Sequence, residues 1–179
     1  VIACFALLNH QALFFFLALP VLIHEAGHLL VLAFLGIPVE EICFTPVSIA
    51  IRTGRPRTLS YSRELAVASA GIVANLLAAL FLWRFAFQSL RIMLIIASNL
   101  AVALFNLLPV GHLDGGQISR CICEILFPPP LAQRIFLIIG LVALTPLIAL
   151  SIFLFLRGKT NFTLIAGCIY LTATLILRE

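Results

Sequence analysis

Charge is scarce in this chain. Only 10% of its 179 residues are Asp, Glu, Lys or Arg, against about 25% in an ordinary soluble domain. That shortage excludes a water-facing surface of normal extent. Asp114 is the sole aspartate and Lys159 the sole lysine, so the positive charge rests almost entirely on arginines. These lie mostly near segment ends, which suits membrane orientation, and no basic aromatic platform accompanies them, so nucleic-acid binding is not expected. Cysteine is also sparse in pattern. Cys4, Cys43, Cys121, Cys123 and Cys168 form no C-x-x-C pair, which excludes a dithiol redox motif and a disulfide framework. They read as reduced, small apolar residues. A cleavable signal layout is missing too: residues 1–8 are apolar up to Asn9-His10-Gln11 and are expected to be the back half of a first span.

What fills the chain is hydrocarbon. Hydrophobic residues make up 63% of it and the mean hydropathy is +1.22. The length accommodates about six spans of some 20 residues with short loops. The expectation is an all-α polytopic membrane protein with about six transmembrane helices, the first truncated, and a small β-hairpin at the membrane face.

Residues 12–35 read as the second span, ended by Gly36 and Pro38. The most polar stretch is 37–62. There Val39–Phe44 and Val47–Arg52 are short, β-branched and partly alternating, with Thr45-Pro46 between them and Thr53-Gly54-Arg55-Pro56 as a turn; this is the expected β-ribbon. Helices are predicted over 63–83 and 92–108, with Arg84–Arg91 as the turn between them. A break at Pro109–Gly111 precedes a helix through about Phe127. Pro128-Pro129-Pro130 reads as a stop, and 132–155 and 161–177 as two closing spans. The whole, 1–179, is expected to be a single transmembrane domain with its catalytic core in 12–127.

Within the second span lies His24-Glu25-Ala26-Gly27-His28. A helix places His24 and His28 on one face, a turn apart, which suits two ligands of one Zn²⁺, with Glu25 beside them to take a proton from a zinc-activated water. Chance would supply roughly 0.003 such matches in a chain of this composition. Ionisable groups in an apolar segment cost about 2.5–3.5 kcal/mol each on insertion scales and usually mark function. The residues alone therefore point to a zinc hydrolase site within a membrane, with one Zn²⁺ as cofactor. A catalytic zinc site normally has three protein ligands and one open position. On its own, Leu113-Asp114-Gly115-Gly116 reads equally well as an exposed turn. Next to a two-histidine face, Asp114 becomes the expected third ligand, since irregular backbone at membrane depth survives only where it is buried or lines a cavity.

These motifs resemble the site-2 protease family of intramembrane zinc metalloproteases. The resemblance rests on His24-Glu25-Ala26-Gly27-His28, then Gly71-Ile72-Val73-Ala74-Asn75, then Asn106-Leu107-Leu108-Pro109-Val110-Gly111-His112-Leu113-Asp114-Gly115-Gly116, in that order along nearly the whole chain. The compact layout is similar to the branch that processes sporulation sigma factors, without that branch's tail domain or PDZ-like insertions. The resemblance implies His24, His28 and Asp114 as zinc ligands, Glu25 as general base, and Asn75 and Asn106 as substrate-binding groups near the site. It also implies a membrane-spanning or membrane-tethered protein substrate, and leaves room for a regulatory membrane partner. Two positions depart from the family pattern. Ile72 and His112 stand where many members carry proline, and His112 is expected to stay off the metal.

In the expected reaction, Glu25 deprotonates the attacking water and then protonates the leaving amine. A helical substrate must unwind first, because its carbonyls are held in i→i−4 bonds, and a strand edge within 39–52 is suited to hold it by β-augmentation. Alternating spans put Arg52, Arg55, Arg57, Arg63, Arg120, Arg134 and Arg178 nearest one side and Arg84, Arg91, Arg157 and Lys159 nearest the other. That bias places the ribbon and C-terminus in the cytoplasm, with His28 about 12 Å from that end of its helix. The expected location is therefore a multi-pass cell-membrane protein whose site opens to the cytoplasm. The competing function is a non-hydrolytic zinc carrier or sensor in the membrane, which has no use for Glu25. A haem protein is excluded by two histidines on one helix face, which cannot flank one haem.

Overall fold

The computed structural model describes residues 11–37, 39–44, 49–53, 60–111, 113–158 and 162–177. The expected first span, the turn at Gly54–Pro56 and His112 lie outside the described residues. Six helices and one two-stranded ladder are described: α1 (Gln11–Phe34), β1 (Val39–Phe44), β2 (Ile49–Thr53), α2 (Tyr61–Trp83), α3 (Leu90–Asn106), α4 (Asp114–Leu126), α5 (Pro129–Leu156) and α6 (Phe162–Leu177). By packing, the chain divides into two compact units, Val1–Asn106 and Leu107–Glu179.

In the first unit α1, α2 and α3 pack against one another. Small residues make the close approach possible. A Cβ on Gly27 of α1 would lie 2.7 Å from both the Ala70 carbonyl oxygen and the Ala74 methyl of α2, so the two backbones meet where neither helix carries bulk. Ala68, Ala70, Gly71, Ile72, Asn75 and Ala79 form the buried face of α2. Beyond them Ala79, Ala86 and Ile96 form a small apolar cluster with Leu82 and Ile92 packed on it. Pro20 sits buried inside α1; it cannot donate to the preceding turn, yet the helix runs on through it. The end of α1 is a glycine cap. Gly36 takes φ 65°, its N–H reaches the Ala33 carbonyl at 3.1 Å, and the Ile37 N–H reaches that of Leu32 at 3.0 Å. This double closure satisfies carbonyls that the helix end leaves without partners.

The ladder also belongs to the first unit. β1 pairs antiparallel with β2, Ile42 facing Ile51 and Phe44 facing Ile49, with an irregularity between Val39 and Glu41. The residues joining the strands, 45–48, lie outside the described residues. Between α2 and α3 the expected turn contains a short 3₁₀ segment, Ala86–Gln88, and α3 begins at Leu90 rather than 92.

The second unit is α4, α5 and α6 around Val110, Leu113, Leu144, Leu171 and Leu175. Residues 107–111 and Leu113 are not helical, so residues 92–127 are interrupted as the proline and glycines there imply. Pro109 supplies no N–H, Val110 N–H turns back to the Leu108 carbonyl at 2.8 Å, and Gly111 takes φ 52°, a region open mainly to glycine. Pro128 lies between the helices, after α4 has stopped at Leu126, but the other two prolines do not. Pro129 and Pro130 form the first turn of α5, where a missing N–H costs nothing and a fixed φ favours the helix.

Two helices among the described residues, Tyr61–Trp83 and Pro129–Leu156, are long and apolar enough to cross a bilayer; Ala18–Phe34, Leu90–Asn106 and Leu164–Ile176 are shorter apolar helices. Leu76, Leu80, Phe81, Ile138, Val142, Phe153 and Leu156 are exposed, an outward apolar surface of a kind that soluble monomers rarely carry.

Candidate metal centre

His24 and His28 are both buried, 4% and 8% exposed. Buried imidazoles need hydrogen-bond partners, and α2 provides them from one face. Val67, Gly71 and Asn75 are spaced by four, so they line a single stripe of that helix. The carbonyl of Val67 lies 2.8 Å from Nδ1 of His28. It accepts the Nδ1 proton there, which leaves the Nε2 lone pair of His28 available. The amide of Asn75, fully buried, lies 3.3 Å from Nδ1 of His24. Both rings thus turn their Nε2 atoms inward, where they stand 3.2 Å apart, the ring planes inclined at 77°.

That spacing is what a shared metal needs. With zinc–nitrogen bonds near 2.05 Å, nitrogens at this separation subtend an angle of about 100° at the ion, close to tetrahedral. Gly71 provides the room. A Cβ built on it would fall 2.6 Å from Cε1 and Nε2 of His24, and closer still to Nε2 of His28. A methyl would fill the hollow over the two donor atoms, and glycine leaves it open. Two imidazoles whose Nε2 atoms converge, with an open hollow above them, fit a divalent zinc ion well. Glu25, half-buried, follows His24 directly in α1, adjacent to the ligand face rather than on it.

Asp114 belongs to the second unit. It is the first residue of α4 and is 7% exposed. Its backbone setting is tight. A Cβ on Gly115 would strike the Leu107 carbonyl, and one on Gly116 would sit 2.6 Å from the Gly111 oxygen. Both glycines are therefore required for α4 to begin where it does. Asn106, the last residue of α3, is half-buried and donates its Nδ2 hydrogen back to the Val102 carbonyl at 3.0 Å.

Sequence reasoning found His24, Glu25 and His28 directly but gave no role to Val67. A backbone acceptor has no residue-type signature; only the four-residue spacing to Gly71 and Asn75 hinted at it. Asn99 was also unremarked. It is fully buried in α3 and donates to the Ile95 carbonyl at 2.9 Å.

Residues 87–150 match the family model described as peptidase family M50. That stretch, which takes in α3, α4 and most of α5, is therefore similar to M50 peptidases. The fold agrees: the structure is similar to that of the site-2 protease from Methanocaldococcus jannaschii, with a TM-score of 0.67 and 22% identity, over 97% of this chain and 82% of that one. No curated protein sequence matches it. The matched stretch contains Asn106, Asp114, Gly115 and Gly116. The histidine pair lies upstream of it, placed by α1 and α2.

Proposed function

We propose that this chain is an intramembrane zinc metalloendopeptidase that hydrolyses a peptide bond in or near a transmembrane segment of a membrane-bound protein, a regulatory protein in the simplest case. The observation that carries the reading is the pair of Nε2 atoms 3.2 Å apart on a buried face of an apolar helix, with Glu25 next to them in sequence. A carrier or sensor would need the pair but not the acid.

His24, His28 and Asp114 are assigned as the ligands of one zinc ion. The assignment of Asp114 is supported by its burial, by its position in the M50-like stretch, and by its being the chain's sole aspartate. Zinc, when bound there, supplies Lewis acidity that lowers the pKa of a water towards about 7 and polarises a carbonyl. Glu25 removes the proton of the attacking water and passes it to the amine that leaves. Asn106 and the edge of the β1–β2 ladder are assigned to the unwound substrate backbone, the ladder by adding a strand to its free edge. Val67 holds the His28 ring throughout.

The exposed apolar surfaces of α2 and α5 face lipid in this reading, and the chain is multi-pass in the cell membrane. The seven-to-four bias of basic residues puts the ladder and the opening of the site on the cytoplasmic side. The test is cleavage of a reconstituted single-span substrate by the purified chain, together with its zinc content. Glu25→Gln should retain zinc and lose cleavage. An unchanged cleavage rate would remove Glu25 from the reaction, and absence of cleavage by the zinc-loaded wild type on a panel of single-span proteins would favour the carrier.

A further inference from the structure

The amide of Asn75 has two ends of nearly equal size, and its orientation decides what His24 can bind. With Nδ2 set towards His24, the other end, Oδ1, is a buried acceptor with no hydrogen-bond partner, and a buried polar atom left so costs about 1–3 kcal/mol. In that orientation Nδ1 of His24 must accept a hydrogen bond, so the ring's proton resides on Nε2. That tautomer is closed to metal on the side facing His28.

The opposite orientation resolves the second of these, the tautomer of His24. Oδ1 takes the place 3.3 Å from Nδ1 and accepts its proton, and Nε2 presents a lone pair towards the Nε2 of His28. Turning the amide exchanges a partnerless acceptor for a donor at the far position, so the preference is decided by the histidine. The two rings are then treated alike: the Val67 carbonyl accepts from His28 at 2.8 Å and the Asn75 carbonyl accepts from His24. Metal-binding histidines generally donate their second ring N–H to such an acceptor, which fixes the ring's tautomer and raises its basicity.

We infer that Asn75 is a positioning residue for the metal centre, its side-chain carbonyl holding His24 in the tautomer whose Nε2 binds zinc. The inference rests on the zinc reading above and replaces the expectation that Asn75 binds substrate. Asn75 lies at the Nδ1 edge of the ring, buried completely, and acts through His24.

The variants that decide it differ only in what they offer Nδ1. Asn75→Asp retains an acceptor of the same shape and offers no donor; Asn75→Leu offers neither. Zinc affinity of the detergent-solubilised full chain is measured by chelator competition, alongside the visible absorption of its Co²⁺-loaded form. Asn75→Leu should weaken zinc about 10–100-fold and shift the Co²⁺ bands, and Asn75→Asp should stay within about threefold of wild type. In the zinc-loaded chain labelled with ¹⁵N-histidine, the His24 Nδ1 proton should move downfield in Asn75→Asp, a readout that stands even if Asn75→Leu does not fold. Equal loss of zinc in both variants, or an unmoved proton in Asn75→Asp, overturns the inference. Wild-type affinity in Asn75→Leu overturns it as well and returns Asn75 to the substrate. A wild-type chain that binds no zinc overturns this inference and the zinc reading together, which sets that failure apart from the others.

Discussion

Replacing Gly71 by alanine places one methyl where the two donor nitrogens converge. The new Cβ would lie 2.6 Å from Nε2 of His24 and must gain roughly 0.8 Å to reach ordinary contact at 3.4 Å. Neither ring retreats freely. His28 is tied to the Val67 carbonyl at 2.8 Å and His24 to the Asn75 amide at 3.3 Å, and each such bond contributes about 1 kcal/mol. Parting the helices instead would open the Gly27–Ala70 contact. Zinc–ligand distances tolerate only about 0.2 Å, so a displacement several times larger should weaken zinc by at least about 100-fold, or about 2.7 kcal/mol. Fold stability responds differently. Crowding costs about 1–3 kcal/mol, offset in part by about 0.5–1 kcal/mol of better helix propensity, so the metal-free protein should lose about 2.5 kcal/mol at most. Chelator competition gives the first quantity, and thermal unfolding with and without EDTA gives the second. Gly71→Ala binding zinc within threefold of wild type would refute the reasoning, because the hollow over the histidines would then have no part in holding the ion.

Glu25→Gln should hold zinc at wild-type affinity and lower cleavage about 10²–10⁴-fold, measured on one preparation by metal analysis and a gel-based assay. Asp114→Ala should lose more zinc affinity than the roughly 10–100-fold that a missing supporting hydrogen bond costs; a variant that keeps its zinc through dialysis and still cleaves would show that another residue is the third ligand. Gly27→Val should destabilise the first unit by about 1–3 kcal/mol and lower its melting temperature in detergent, since the added carbons meet the Ala70 carbonyl and the Ala74 methyl at 2.7 Å.

The sequence by itself determined the parts that depend on local spacing. His24 and His28 share a face because four residues make about one helical turn. Pro109 and Gly111 interrupt the chain between α3 and α4 because ring and φ constraints act within a few residues. Local pattern failed at Pro129 and Pro130, because the ring that ends one helix is also accepted in the first turn of the next. Only the tertiary structure decided how the histidines are held. That Val67 accepts from His28, that Gly71 leaves the hollow over both rings and that Asn75 meets Nδ1 of His24 follow from packing α2 against α1 at backbone contact. No composition or periodicity in α1 specifies which face of α2 it will meet. That choice was made by Gly27 and the alanines opposite it, because two helices can approach this closely only where both lack side-chain bulk.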